Sequence, residues 1–330
     1  MASGLTLKCG LGVGLLVAGL GAGTPAAAQD CKPLKPLASI QMKVDNGHYL
    51  LPVKINKIDT YMLFDSGGYD GIYPEALSTF KLKPHDYGGK LMGSDGSTST
   101  LNTLVDELQF GQVNFGVDRY YYVLADKNPN FATNNIAGEI GVLQVNGVDM
   151  DFDFGANKFN LFSPDHCEGQ VVYWKTDVVT DMPFEFSEGR IRVKARLDGK
   201  EFLAIIGTGS TSSTANLTIV ADRLGFDPNA PDVENLGLAD DPVYRKRFKA
   251  LELGGISIVN PQVTIIPDKI KGRLSQAATT GSSVRSDENR LDDMYIGTNV
   301  LSKLHIYAAV KERRLYISPV SAPPAPAAGQ

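Results

Sequence analysis

The stretch MLFDSGG, Met62 to Gly68, ends an apolar run on a single carboxylate. An apolar run that stops at a polar, glycine-rich turn reads as a buried strand entering a tight loop. At such a tip Asp65 can take a proton as a general base, and Ser66 beside it can hydrogen-bond to a neighbouring loop. One carboxylate cannot serve as base and acid partner at once, so hydrolysis of this kind needs a second group. A second stretch, AIIGTGS from Ala204 to Ser210, has the same shape. It carries Gly207 where the first carries Asp65, and then repeats the pattern with Thr208 for Ser66 and Gly209 for Gly67. The glycines let the backbone turn sharply and let the two loops approach.

The elements around these loops are duplicated too. GHYLLPVKINKIDTYMLFDSGG (Gly47 to Gly68) aligns without a gap on GRIRVKARLDGKEFLAIIGTGS (Gly189 to Ser210). Each half begins with Gly, alternates apolar and polar residues, turns, and returns as an apolar strand. Further on, DELQFGQVNF matches KALELGGISI as a hairpin, EIGVLQV matches YIGTNVL, and FNLFSP matches RLYISP. Four matches in one order predict a duplicated chain, with lobes at 29–170 and 171–319. Strand formers in short runs dominate, and short helices are expected over Asn299 to Leu304, in YPEALSTF and in LTIVADRLG.

A strand ending in Asp-Ser-Gly, matched in a second lobe and followed by an apolar-Gly segment, resembles the aspartic proteases, and most of all exported bacterial proteins with retropepsin-type domains fused in tandem. FDSGG fits the active-site loop, and Tyr295-Ile296-Gly297 fits the paired segment of the second lobe. The resemblance covers nearly all of the chain after its leader. It implies an all-β fold of two similar pepsin- or retropepsin-like lobes, and an inter-lobe cleft for an extended peptide. In that family two aspartates share one proton, because two charges so close cannot both persist. Asp65 would be the catalytic residue, with Ser66, Gly67, Gly207, Thr208 and Gly209 in the active-site loops. A flap would be formed by Tyr87 to Thr100, with Gly93, Ser94, Asp95 and Gly96 at its tip.

Two departures stand out. Gly207 has no carboxylate, and the sequence leaves open whether an aspartate was lost there or a variant introduced. The first lobe also has Glu139-Ile140-Gly141 where two apolar residues would precede the Gly. Glu139 could act as a substitute acid, but a Glu turned to solvent in an irregular strand is the plainer reading. Two functions therefore stand side by side, an aspartic endopeptidase and an inactive peptide-binding relative of one. An Asp65–Asp65 pairing between two copies is disfavoured, because the fused second lobe already takes that place.

Other chemistry is weaker. Asp149, Asp151 and Asp153 alternate in DMDFDFG, which reads as the polar face of a strand whose Phe152 and Phe154 point inward, ahead of a calcium cluster. The four histidines lack ligand spacing, and no Gly-x-Ser-x-Gly elbow occurs, so neither a metal, another cofactor nor a serine nucleophile is expected. Trp174 is expected to pack where the lobes join. Asn216-Leu-Thr matters only in a glycosylating pathway.

The ends bound the setting. Lys8, the apolar LGVGLLVAGLGAG and the small residues of TPAAAQD read as a signal peptide, 1–28, cut after Ala28. The protein is then periplasmic or secreted, without a membrane span. Cys9 leaves with the signal, so Cys31 and Cys167 are expected to form a disulfide. The Pro/Ala-rich end, 320–330, is expected to be a disordered tail. The 330 residues carry a net charge of −5 and no long Lys/Arg run, which argues against nucleic acid. The expected partner is a peptide or protein, and the expected state a monomer.

Overall fold

The computed structural model describes residues 31–320, apart from 93–97, 112, 126–130, 143–146, 188, 238–242 and 268–291. The segment read as a signal peptide, the tip of the expected flap and the Pro/Ala tail lie outside the described residues. From Lys32 onward the chain is one compact unit.

The fold is all-β, with two lobes of similar plan. Each lobe opens with the hairpin that the repeat indicates. His48–Ile55 pairs with Ile58–Phe64, and Arg190–Leu197 pairs with Lys200–Ile206. The registers correspond: Leu50 faces Leu63 in the first, and Arg192 faces Ile205 in the second. Both hairpins close on two residues with positive φ, Asn56-Lys57 (48° and 70°) and Asp198-Gly199 (46° and 77°). That backbone follows the strand twist. Lys57 adopts a left-handed conformation that its counterpart fills with glycine.

Alternation does the rest. In Arg190–Leu197 every second residue is buried, including Ile191, Val193, Ala195 and Leu197. Strands of this kind place their apolar faces on one continuous core that runs through both lobes. An eight-stranded sheet forms the first lobe, a ten-stranded sheet the second, and a six-stranded sheet takes strands from both. The order in the shared sheet is Pro36–Gln41, Lys158–Phe162, Asp149–Asp153, Leu304–Ala309, Arg314–Pro319, Thr180–Pro183. Its central contact, Asp149–Asp153 against Leu304–Ala309, joins the next-to-last strands of the two halves.

The helices are short. Leu217–Leu224 forms as expected, capped by Asn216, whose side chain accepts from Ile219 N, and ended by Gly225 at φ 62°. The expected helix over Asn299 to Leu304 instead spans Thr298–Leu301, because Leu304 already opens a strand. In YPEALSTF only a 3-10 turn, Pro74–Ala76, forms.

Candidate active site

The site is built at the ends of two parallel strand pairs. Ile58–Phe64 runs parallel to Ile136–Ile140, and Asp65 N donates to Ile140 O at 2.9 Å. Lys200–Ile206 runs parallel to Met294–Ile296, and Gly207 N donates to Ile296 O at 2.9 Å. The two loops thus leave their sheets with the same geometry. They are also laced to each other. Ser66 N donates to Thr208 Oγ1 (3.0 Å), and Thr208 N donates to Ser66 Oγ (3.2 Å). Each hydroxyl then donates across to a strand carbonyl, Ser66 Oγ to Ile206 O (2.5 Å) and Thr208 Oγ1 to Phe64 O (2.6 Å). Both side chains are buried, so this reciprocal set satisfies every donor it encloses.

Asp65 stands half-buried above this link. Its Oδ1 accepts from Gly67 N (2.8 Å), Gly209 N (3.2 Å) and the Tyr295 hydroxyl (2.7 Å). Tyr295 sits on Met294–Ile296, at the place in the second lobe that Glu139 holds in the first: Ile205 faces Tyr295, and Leu63 faces Glu139. Its ring fills the space beside Gly207. A Cβ placed on Gly207 would lie 1.7 Å from Tyr295 Cε1 and 2.1 Å from Cζ. Gly207 is therefore not an empty seat, because a tyrosine from the neighbouring strand occupies it. Gly67 and Gly209 are equally constrained, since a Cβ would meet Tyr295 Oη at 2.3 Å or Asp65 Cγ at 2.3 Å.

Burial, with the adjacent Asp65 carboxylate adding to it, pushes the Tyr295 hydroxyl well above the usual phenol range. The phenol stays a neutral donor aimed at Asp65. Arg190 and Glu139 act on Tyr295 with opposite signs, which puts both charges within electrostatic reach. Arg190 donates to the Tyr69 hydroxyl at 3.2 Å and lies over that ring at 5.5 Å. Glu139 is half-buried and accepts from the Tyr73 hydroxyl at 2.9 Å, so it is not turned to solvent, although the pairing of its strand is irregular at Tyr61 and Met62. The strand that presents Tyr295 is anchored by Asp292 to Arg192 (2.6 Å) and by Asp293 to Arg223 (2.7 Å).

The other singled-out residues fall elsewhere. The arms of the expected flap, Pro84–Met92 and Thr98–Phe110, pair antiparallel up to Met92 opposite Thr98. Gly93, Ser94, Asp95 and Gly96 lie outside the described residues. Cys31 and Cys167 are both disulfide-bonded. Asp149 and Asp151 do not form an exposed polar face, because both are fully buried in the shared sheet. Asp149 meets His166 Nε2 (2.6 Å) and the Tyr307 hydroxyl (2.9 Å), and Asp151 meets His305 Nε2 (2.7 Å) and the Tyr173 hydroxyl (2.7 Å). Trp174 stacks on His305 at 4.0 Å and donates to Ser318 Oγ. The structure thus sets His166 and His305 each on its own buried aspartate of the shared sheet. Asn216 is buried at its helix cap, which removes it as a glycan acceptor. Open cavities of about 450 Å³ at Asn56, Lys57, Asp106 and Glu107, and about 410 Å³ around Lys175 to Val178, do not include Asp65.

Sequence reasoning missed the Tyr295 bond to Asp65, the Arg190–Tyr69 contact and the Tyr73–Glu139 bond. One signal was present: Tyr295 is an aromatic residue with a hydroxyl in the segment paired with the loop that lacks its carboxylate.

No family model matches the chain, and no curated protein does. Among solved structures, the aspartic proteinase from Irpex lacteus is similar, with 12% identity over 87% of this chain and 98% of that chain and a TM-score of 0.49. Among the described residues no helix is long and apolar enough to cross a membrane.

Proposed function

We propose that this chain is an exported pepsin-like scaffold that binds extended peptides between its lobes and does not cleave them. The observation that carries this reading is the Tyr295 ring in the space of a Gly207 side chain, with its hydroxyl on Asp65 Oδ1.

Hydrolysis by a carboxylate pair needs one group to draw a proton from water and another to give one to the peptide carbonyl. The water must stand between them. Here Asp65 is the carboxylate that takes amides from both loops, and a phenol stands where its partner would be. Its proton is directed at Asp65 rather than at a substrate, and its raised pKa makes it a poor acid at the pH where such enzymes work. A bare loss of an aspartate side chain would leave a gap, but Tyr295 fills the volume. The reciprocal Ser66–Thr208 bonds keep the two loops in register, which supports a cleft that still has work to do. The leader-like first 28 residues and the two oxidised cysteines fit an exported protein.

The test is a diverse library of extended peptides, read for binding by enrichment and for cleavage by mass spectrometry at acidic and neutral pH. Enrichment of intact peptides is the expected result. Cleavage by the unaltered protein that disappears in Asp65→Asn would replace this reading with an active endopeptidase that uses one carboxylate.

A further inference from the structure

The three hydrogen bonds to Asp65 all fall on Oδ1. Its Oδ2 accepts no hydrogen bond from the described residues, and the side chain is only half-buried. One carboxylate oxygen is therefore fixed by the protein, and the other is left to whatever enters the cleft.

A row of aromatic rings starts four residues on from Asp65 in the chain. From the Asp65 loop, Tyr69 meets Tyr122 edge-on at 6.2 Å, and Tyr122 meets Tyr87, on the first arm of the expected flap, at 5.3 Å. All three rings are partly exposed. Tyrosine faces carry the negative side of the ring quadrupole and attract cations, as Arg190 over Tyr69 already illustrates. Glu139, on the strand beside the one that leads into Asp65, is a further carboxylate of this lobe. The whole chain is acidic, at −5, which favours the approach of basic ligands.

Building on the peptide-binding reading above, we infer that the cleft selects peptides with a basic side chain, whose cationic head pairs with Asp65 Oδ2 while its stem lies along the Tyr69–Tyr122–Tyr87 wall. Long basic side chains suit such a site because their methylene stems pack on apolar surface and their charged heads reach a polar end. The absence of a carboxylate at position 207 then has a positive consequence: a residue that would activate water in a pair is free to act as an ion-pair acceptor.

Calorimetry with end-blocked extended peptides that differ only in one central residue tests this. Arginine, norleucine and glutamate are compared at that position. The arginine peptide is expected to bind at least about tenfold tighter than the norleucine peptide, the size of one charge-assisted hydrogen bond, with glutamate weakest. Added salt should shrink the difference. Asp65→Asn, which keeps the side-chain shape, should bring the arginine-to-norleucine ratio close to one, and Tyr122→Ala should lower it. Equal binding of arginine and norleucine peptides to the unaltered protein overturns this inference and leaves the peptide-binding reading in place. Failure of every peptide to bind overturns both.

Discussion

Tyr295 and Gly207 share one volume: the position of a Cβ on Gly207 lies 1.7 Å from Tyr295 Cε1. Gly207 does not need its glycine for a left-handed backbone, since its φ falls outside that region. The three atoms nearest to a side chain there all belong to that ring. Gly207→Asp by itself should therefore overpack the site and cost about 1–3 kcal/mol. Gly207→Asp with Tyr295→Val should recover that loss and place two carboxylates side by side. Thermal unfolding and peptide cleavage at acidic pH, measured on both variants, check this. Restored stability with cleavage in the double variant alone is the expected pattern. A single variant as stable as the unaltered protein would show that the ring does not hold the place.

Ser66 and Thr208 act as one unit, because each hydroxyl both accepts an amide from the other loop and donates to a carbonyl beyond it. Ser66→Ala or Thr208→Ala strands buried partners and should cost about 1–3 kcal/mol each. The double variant should cost clearly less than the sum, because losing one hydroxyl's two bonds loosens the loops that hold the other's two. Urea unfolding of the four proteins gives the coupling directly. Strict additivity would mean that the loops are not interlocked.

Stability should fall steeply at alkaline pH. Burial raises the hydroxyl pKa of Tyr295, Tyr121, Tyr173 and Tyr307, with nearby carboxylates adding to the effect in each case. Below about pH 10, the unfolded-state value, these phenols are neutral in both states and the fold bears no ionisation cost. Above it the unfolded chain releases protons that the folded chain retains, so unfolding gains free energy with each further rise in pH. Chemical unfolding as a function of pH, alongside the tyrosinate absorbance, reads this out. Tyr295→Phe should flatten the alkaline slope. An unchanged slope would mean that Tyr295 ionises as readily folded as unfolded.

The shared sheet should be sensitive to single deletions in its buried polar layer. His305 pairs with Asp151 at 2.7 Å and stacks on Trp174 at 4.0 Å. His305→Ala removes one partner and leaves a buried carboxylate, which should cost about 3–5 kcal/mol. His305→Gln, which can still donate, should cost less. Trp174 is the only tryptophan, so its fluorescence reports on this stack without ambiguity. The folded-state emission should change in both variants, and an unchanged spectrum would contradict the stacking.

Much of the scaffold was legible before any coordinates. Alternating burial wrote out the hairpins, and the gapless match of Gly47 to Gly68 with Gly189 to Ser210 carried their common register, because strand pairing depends on local pattern and turn residues. Leu217–Leu224 was legible for the same reason, with its cap and stop encoded next to it. Helix ends near Leu304 and the burial of Asp149 and Asp151 were not, because a following strand and a covering segment distant in sequence decide them.

The chain alone determined that Asp65 ends a strand, that its counterpart is Gly207, and that Ser66 and Thr208 stand beside them. Local hydrophobic period, glycine placement and internal repetition suffice for that. Only the tertiary structure decided what fills the space beside Gly207. Tyr295 lies 88 residues further along, and it arrives there because Met294–Ile296 runs parallel to Lys200–Ile206. A side chain that crosses from a neighbouring strand to a facing loop obeys no spacing in its own sequence. Its place is set by the pairing of sheets and by the room that a missing Cβ leaves.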